Sequence, residues 1–277
     1  MRLLILSGLI ISTLAGQCPA HEYEFFNARK GKVLVSDSVQ PLRSMFTHSL
    51  GKHFKRMNFW DIGLGGDVPL FMVSHGPEEL ASVNARGDFR SRFAFNSRSF
   101  DLVNTDYTGG INMVTTKPFA LPGDLEVYLS HRSSHLGDEV ILDTAAYHYS
   151  HINYSREVLR VLYYGTLSES VSHAYGAHYI LRKDPETPRG RLALQYNIMV
   201  PFRFIGGRFF AGSDLQCNEE HSWNTDVKFQ FGLKLGRETN QIYLQKLTLE
   251  YYDGYSRLGQ FHDKRERYIS LGIIAHI

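Results

Sequence analysis

The chain has 277 residues, of which 43% are hydrophobic and 13% aromatic, and its 30 Lys and Arg residues nearly balance its 28 Asp and Glu residues. A formal net charge of +2 gives no basic excess of the kind that nucleic-acid-binding proteins use, so we expect no nucleic-acid partner. Its two cysteines, Cys18 and Cys217, are too few for the framework of a disulfide-rich secreted protein.

The first residues, MRLLILSGLIISTLAGQCPA, have the layout of a secretory signal peptide. A single Arg precedes an apolar run that is short for a membrane-spanning helix, and small residues follow the run. Cleavage after Gly16 and cleavage after Ala20 both fit this layout. We therefore expect a signal peptide over residues 1–20 and a single exported domain over residues 21–277.

Most of the remaining chain alternates apolar and polar side chains in short segments, which is typical of half-buried β-strands. Clusters of Gly, Pro, Asn and Asp separate the segments at hairpin-like intervals. No helical heptad and no short repeat interrupts this pattern. In chain order the main segments are DFRSRFAF (88–95), YTGGINMVT (107–115), LEVYLSH (125–131), REVLRVLYYG (156–165), RLALQYNI (191–198), VKFQFGLKL (227–235), QKLTLEYYDG (245–254) and RYISLGIIAHI (267–277).

A soluble β-sandwich would alternate in the same way, but two features favour a membrane barrel. The polar faces carry long charged side chains of both signs, and the apolar faces are rich in Phe and Tyr. A barrel turns the apolar face to lipid and the charged face to a polar interior. We predict an all-β fold, an antiparallel transmembrane β-barrel of about 12 strands (roughly 10–14), with paired charges filling the interior. Charged residues expected inside include Arg90, Arg92, Glu126, Arg132 and Arg160.

Five blocks along the chain carry a family resemblance. They are LVSDSVQPLRSMF (34–46), SFDLVNTDYTGG (99–110), HRSSHLGDE (131–139), NYSRE (153–157) and YYDGYSRLGQF (251–261). Together they resemble the bacterial proteins catalogued as domain of unknown function 1207, which are signal-bearing proteins assigned to the outer membrane. The opening block departs from the usual pattern, because Asp37 is followed by Ser38 and Val39 in place of Pro and Arg.

This resemblance implies a location and a set of partners but no activity. We expect the chain in the outer membrane of a Gram-negative-type bacterium, in contact with outer-membrane lipids. Insertion there implies the barrel-assembly machinery as a partner during biogenesis. The resemblance leaves the oligomeric state open.

The block HRSSHLGDE contains a candidate catalytic pair. His131 and Ser133 share a strand face with the apolar residue Leu129, so on a barrel they would face outward near the lipid. A His and a Ser in this position can act as base and nucleophile. Asn153 on the following strand would orient the imidazole if it lay opposite His131.

The same hairpin is similar to that of outer-membrane phospholipase A, whose H-x-S-N-G motif faces lipid. The resemblance implies His131 as base, Ser133 as nucleophile and Asn153 as orienting residue of a serine acyl hydrolase, of the phospholipase or lipid A deacylase type. It also makes Asp138, with the adjacent Glu139, the candidate metal ligands, and calcium the candidate cofactor. The chain departs from the motif where Ser and His replace the Asn-Gly pair after the nucleophile.

Other interpretations of these residues stay open. The SSHLGDE segment can form a turn and rim network without chemistry, since Gly137 permits backbone conformations closed to other residues. His135, His148 and His151 lie near His131 in sequence, but their spacing matches no structural zinc pattern.

Two further blocks are assigned to turns and to the membrane interface. Turn chemistry before a strand explains Asp101, Asn104 and Asp106. The YYDGYSRLGQF block is interpreted as a strand, a turn and the next strand, with Tyr251, Tyr252 and Tyr255 in an aromatic girdle. The sequence therefore supports two functions: a structural or solute- or lipid-handling barrel with its specific residues in the lumen, and a lipid acyl-ester hydrolase with its site on the outer surface.

Overall fold

The computed structural model describes residues 22–25, 45–53, 58–75, 78–94, 100–142, 151–168, 171–187, 190–235 and 243–276. The predicted signal peptide, residues 34–44 of the first family block and His148 lie outside these ranges. In the described ranges, no helix is long and apolar enough to cross a membrane.

The described part of the chain forms thirteen strands and one short α-helix. The strands are β1 (Glu22–Phe25), β2 (Met45–His53), β3 (Asn58–His75), β4 (Glu78–Ala94), β5 (Asp101–Thr116), β6 (Asp124–Leu136), β7 (Tyr154–Thr166), β8 (Ser172–Asp184), β9 (Leu192–Phe204), β10 (Gly207–Asn218), β11 (Asn224–Lys234), β12 (Tyr243–Tyr255) and β13 (Arg265–His276). The helix α1 spans Asp138–Leu142 and follows β6.

Twelve of the described strands close into an antiparallel barrel. Each strand from β3 to β12 pairs with its two neighbours in the chain, and β2 joins β13 to β3. Strand β1 pairs with the part of β3 that extends beyond β2, from Phe71 to Ser74. The prediction of an antiparallel barrel of about 12 strands is therefore confirmed.

The alternation of the sequence decides which side chains face outward. Phe229 of β11 is 52% exposed on the outer wall, whereas its neighbour Lys228 is 2% exposed inside. The same division holds in β9, where Leu194 is exposed and Gln195 is buried. An apolar outer wall around a polar lumen is the arrangement of a membrane β-barrel.

A fully buried carboxylate, that of Glu126, organises part of the lumen. It accepts hydrogen bonds from Asn112, Tyr164 and Arg160 at 2.8–2.9 Å, and Arg86 lies 2.8 Å away. A buried charge is stable only when it is paired and hydrogen-bonded, and four partners satisfy this carboxylate.

A second charge cluster surrounds Arg92, which is also buried. Its guanidinium binds Asp61 through two bonds of 2.7 Å, lies 3.1 Å from Glu266 and stacks over the Phe59 ring at 4.1 Å. The predicted interior of paired charges is thus present, and Arg92, Glu126 and Arg160 lie inside as expected.

Candidate functional site

The segment between β12 and β13, residues 256–264, folds across one end of the barrel. We call this segment the mouth loop and this end the mouth. The backbone N–H of Gly259 donates to the Asp106 carboxylate at 3.2 Å, and the Arg257 carbonyl accepts a hydrogen bond from Arg132. Asp106 and Arg132 belong to β5 and β6, on the wall opposite β12 and β13. The mouth loop therefore spans the lumen.

Gln260 joins the mouth loop to two other segments of the mouth. Its side-chain amide donates to the carbonyls of Ser134 and Ile152 at 2.6 and 2.8 Å, and its side-chain oxygen accepts from the Ile152 N–H. Its own backbone N–H donates to the Ser134 hydroxyl, which in turn donates to Asn104. Gln260, Ser134 and Asn104 come from three of the blocks that carry the family resemblance. These blocks therefore meet in space at the mouth.

This packing corrects two expectations from the sequence. Asn104 and Asp106 lie within β5 and are buried inside the barrel, so the assignment to a turn before the strand is wrong. Asn104 bonds to Asp106 and to Ser134 of β6, and Asp106 accepts from Gly259 of the mouth loop. Tyr252 is 1% exposed and stacks on Tyr268 and under Arg257, so it is an interior residue and not part of an outer girdle. The sequence around Asp106 and Tyr252 gives no local signal of these contacts, because the partner residues are distant along the chain or on another strand.

Beneath the mouth loop the lumen contains a cavity of about 310 Å³. Most charges in its wall are paired: Arg132 with Asp106, Arg156 with Glu220 at 2.6 Å, and Arg257 with Asp214 at 3.2 Å.. Arg90, Arg132 and Arg160, which the sequence placed inside, all line this cavity. The volume is in the lower range of small-molecule sites.

Burial lowers the pKa of two histidines at the mouth. The ring of His221 stacks on Tyr255 with centroids 3.6 Å apart, and both ring nitrogens are buried without a hydrogen-bond partner in the described residues. Burial lowers the pKa of His221 to about 4, and the nearby Glu220 only partly opposes this. Burial and the charge of Arg156 lower the pKa of His262 as well.

His131 and Ser133 lie on the outer wall of β6. His131 is exposed and Ser133 is half-buried, while the neighbouring Ser134 points into the lumen. In the residues that the structure describes, no hydrogen bond joins the His131 ring to the Ser133 hydroxyl. The pair therefore lies on the outer wall, as a membrane-surface hydrolase would need, but without the hydrogen bond between base and nucleophile.

The residue across from His131 is Glu157, and not Asn153. The register of β6 and β7 sets Glu157 opposite His131 and Ser155 opposite Ser133. The Asn153 amide donates instead to Asp184 at 2.6 Å. The expected position of Asn153 assumed a symmetric hairpin, but β6 ends at Leu136 and β7 begins only at Tyr154.

Asp138 and Glu139 form the exposed first turn of α1. Within the described ranges, no group of three or more His, Cys, Asp or Glu side chains is arranged to hold a metal ion. Calcium binding by Asp138 and Glu139, and catalysis by His131, Ser133 and Asn153, stay predictions.

The fold and the mouth together define a class of protein. A closed antiparallel barrel with an apolar outer wall, an interior of paired charges and a loop across one end is a β-barrel of the outer-membrane type. The chain belongs to the family described as Protein of unknown function (DUF1207), whose model matches residues 34–277. No curated protein matches the chain.

Solved structures with a similar fold are outer-membrane barrels. Outer membrane phospholipase A from Escherichia coli is 11% identical, with 84% of this chain and 89% of that chain aligned and a TM-score of 0.55. The Salmonella typhi outer membrane phospholipase is 12% identical over 83% of this chain and 89% of its own, with a TM-score of 0.55. A KdgM porin is 11% identical over 84% of this chain and 99% of its own, with a TM-score of 0.47. At such identities the phospholipase similarity concerns the fold alone.

Proposed function

We propose that this protein is an outer-membrane barrel that holds a small solute in its lumen. The observation that carries the proposal is the cavity of about 310 Å³ beneath the mouth loop. Ligand sites are concave, with some apolar wall and a few placed polar groups. This cavity combines the apolar side chains of Val158, Ile180 and Ala193 with charged groups of both signs.

The packing of the lumen favours a binding site over an open pore. The mouth loop is bonded to Asp106, Arg132 and Ser134 on the opposite wall, and a general pore needs a continuous water-filled path. The interior charges are mostly neutralised by one another, whereas selective pores present rings of unpaired charge.

The outer-membrane location is part of the same proposal. The apolar outer wall, the family and the outer-membrane barrels of similar fold support it. Outer-membrane lipids would then surround the wall, and the barrel-assembly machinery would insert the chain. Membrane fractionation of producing cells tests this location, and recovery in the soluble fraction would contradict it.

Conductance in planar lipid bilayers tests the closed lumen. We expect the inserted wild-type barrel to carry little steady current, because the mouth loop crosses its lumen. A double variant, Arg257→Ala with Gln260→Ala, removes bonds to Asp214, Ser134 and Ile152, so its current should rise. The matched control Lys264→Ala in the same loop should stay closed. A large steady current through the wild type would contradict the proposal.

A second candidate function is acyl-ester hydrolysis on the outer wall. The register favours it, because Glu157 lies directly opposite His131 and Ser133 follows two residues along the same face. Glu157 would orient the His131 imidazole, and His131 would take the proton of the Ser133 hydroxyl. Ser133 would then attack the ester carbonyl and release the alcohol, leaving an acyl-enzyme that water hydrolyses. The Salmonella typhi phospholipase of similar fold is described with bound calcium, so Asp138 and Glu139 are the calcium ligands to examine.

Acyl release from phospholipid and lipid A by the refolded barrel, with and without calcium, tests this candidate. Ser133→Ala should abolish release, and the comparison of Glu157→Gln with Asn153→Ala identifies the orienting residue. Asp138→Asn should remove any dependence on calcium. Absence of release from a folded barrel, or full activity of Ser133→Ala, would eliminate the hydrolase.

A further inference from the structure

Two opposite charges in the lumenal cavity lack hydrogen bonds and salt bridges to other described residues. Asp88 and Arg90 both line it, are half-buried and face inward from β4. Among the cavity's charged residues that the structure describes, these two alone form neither a hydrogen bond nor a salt bridge with another described residue. Arg90 exerts the strongest attraction on Asp88, but partly buried charges without hydrogen bonds are costly, so this pair calls for a ligand.

The neighbouring charges are already engaged. After Arg90, the guanidinium groups of Arg132 and Arg86 attract the Asp88 carboxylate most strongly. Arg132 is bonded to Asp106, and Arg86 to Asp67 at 2.7 Å. Asp88 and Arg90 are therefore the charged side chains of the cavity that a ligand can bind without breaking an existing salt bridge.

The geometry points to a zwitterionic ligand: we propose that the cavity binds a small amino-acid-like solute, with its ammonium group at Asp88 and its carboxylate at Arg90. Residues two apart on a strand face are about 7 Å apart, which leaves room for one ligand to contact both side chains. A simple anion would meet Arg90 but be repelled by Asp88, and a simple cation would be repelled by Arg90. This inference rests on the proposed solute-binding function and specifies its ligand.

The cavity wall also contains two further donors that a polar ligand could use. The Tyr128 hydroxyl and the Nε–H of Arg156 are buried and lack hydrogen-bond partners in the described residues, and both side chains line the cavity. Tyr128 is only 3% exposed, so its unbonded hydroxyl is a cost that a ligand oxygen removes.

The opposite wall offers an apolar surface for the rest of the ligand. Val158, Ile180 and Ala193 of β7, β8 and β9 line the cavity across the lumen from β4. A solute with a branched aliphatic side chain would cover them, so L-leucine is a suitable probe.

Isothermal titration of the refolded full mature barrel with three matched probes tests the proposal. L-leucine carries both charges, 4-methylpentanoate lacks the ammonium group, and 3-methylbutylamine lacks the carboxylate. We expect leucine to bind at least tenfold more tightly than either analogue, which corresponds to about 1.4 kcal/mol per lost ion pair.

Two cavity variants assign the contacts. Asp88→Asn should weaken leucine binding about tenfold and leave 4-methylpentanoate unweakened, since only leucine has an ammonium group for Asp88. Arg90→Gln should weaken both. Lys264→Gln, an exposed change in the mouth loop, is the control and should alter neither affinity.

The outcomes separate this inference from the proposed function. Equal affinity for leucine and 4-methylpentanoate, with no effect of Asp88→Asn, would refute the proposal of a zwitterionic ligand. The lumen would then bind a simple carboxylate. No binding of any probe by a barrel that is closed in bilayers would also overturn the zwitterion. A steady large conductance of the wild type would contradict the solute-binding lumen itself.

Discussion

At the scale of single residues, His221 couples the stability of the mouth to pH. Its pKa in the folded barrel is about 4, because burial disfavours the charged ring, and an unfolded chain has a His pKa of about 6.5. As pH falls below about 6.5, the unfolded state takes up the proton first, so stability decreases between about pH 6.5 and 4. Above this window the stabilisation is fully present.

A His221→Phe variant tests this dependence. Phe keeps the stacking on Tyr255 but cannot be protonated, so the fall in melting temperature between pH 7.5 and pH 5 should be smaller than in the wild type. His221 is partly exposed, so we expect a difference of only a few degrees, about the effect of 1 kcal/mol in a domain of this size. His135→Phe is the matched control, since His135 is exposed and also contacts a Tyr ring. Identical pH dependence of His221→Phe and wild type would refute the coupling.

Gln260 is the second residue on which the mouth depends. Gln260→Met keeps the length of the side chain but removes its three hydrogen bonds to Ser134 and Ile152. The backbone groups left unsatisfied should lower the free energy of unfolding by about 1–3 kcal/mol. Equilibrium denaturation in lipid vesicles measures this change. Lys264→Met in the same loop should change it by less than about 0.5 kcal/mol; if the two variants match, Gln260 does not hold the loop.

At the scale of strands, the close approach of β5 to β6 requires glycine at position 110. A Cβ added at Gly110 would lie 2.1 Å from the Leu129 carbonyl oxygen, a backbone atom that cannot move without displacing β6. A Cβ at the adjacent Gly109 would lie 4.0 Å from its nearest atom, the Arg86 carbonyl oxygen. Position 109 therefore has room for a side chain, whereas the neighbouring position 110 does not.

Alanine substitution at the two positions makes a matched pair. Gly110→Ala should lower the folded yield and the free energy of unfolding by roughly 1–3 kcal/mol, as overpacking does. Gly109→Ala should be close to neutral. Heat-modifiable migration on gels and denaturation in vesicles report both quantities. Equal behaviour of the two variants would show that β5 and β6 can separate to admit a side chain.

The strands also show how far the sequence predicts this fold. Alternation assigned Leu194 and Phe229 to the outer wall and Gln195 and Lys228 to the lumen, because side-chain direction in a strand is a local property. The register of β6 and β7 depends on the long connection between them, and there Glu157 took the expected place of Asn153. The contacts of Gln260 join residues more than 100 positions apart, and no local pattern encodes them.

At the scale of the whole molecule, closure gives the barrel its two environments. The pairing of β2 with β13 joins the two ends of the ring of twelve described strands, so no edge of that ring is left unpaired. Leucine and phenylalanine side chains then cover the outside, while carboxylates and guanidinium groups meet across the lumen. Such an outer wall is stable in lipid and poorly suited to water.

A charge placed on the outer wall tests whether that wall faces lipid. Leu271 lies near the centre of β13, between Leu249 and Leu50 of the flanking strands, and is 66% exposed. In a bilayer, Leu271→Arg would bring a guanidinium close to the midplane and should cost about 2–4 kcal/mol of unfolding free energy. Leu142→Arg in α1, where the leucine is 83% exposed outside the barrel wall, should cost less than about 0.5 kcal/mol. Denaturation from vesicles measures both, and equal small costs would mean that the outer wall meets water instead of lipid.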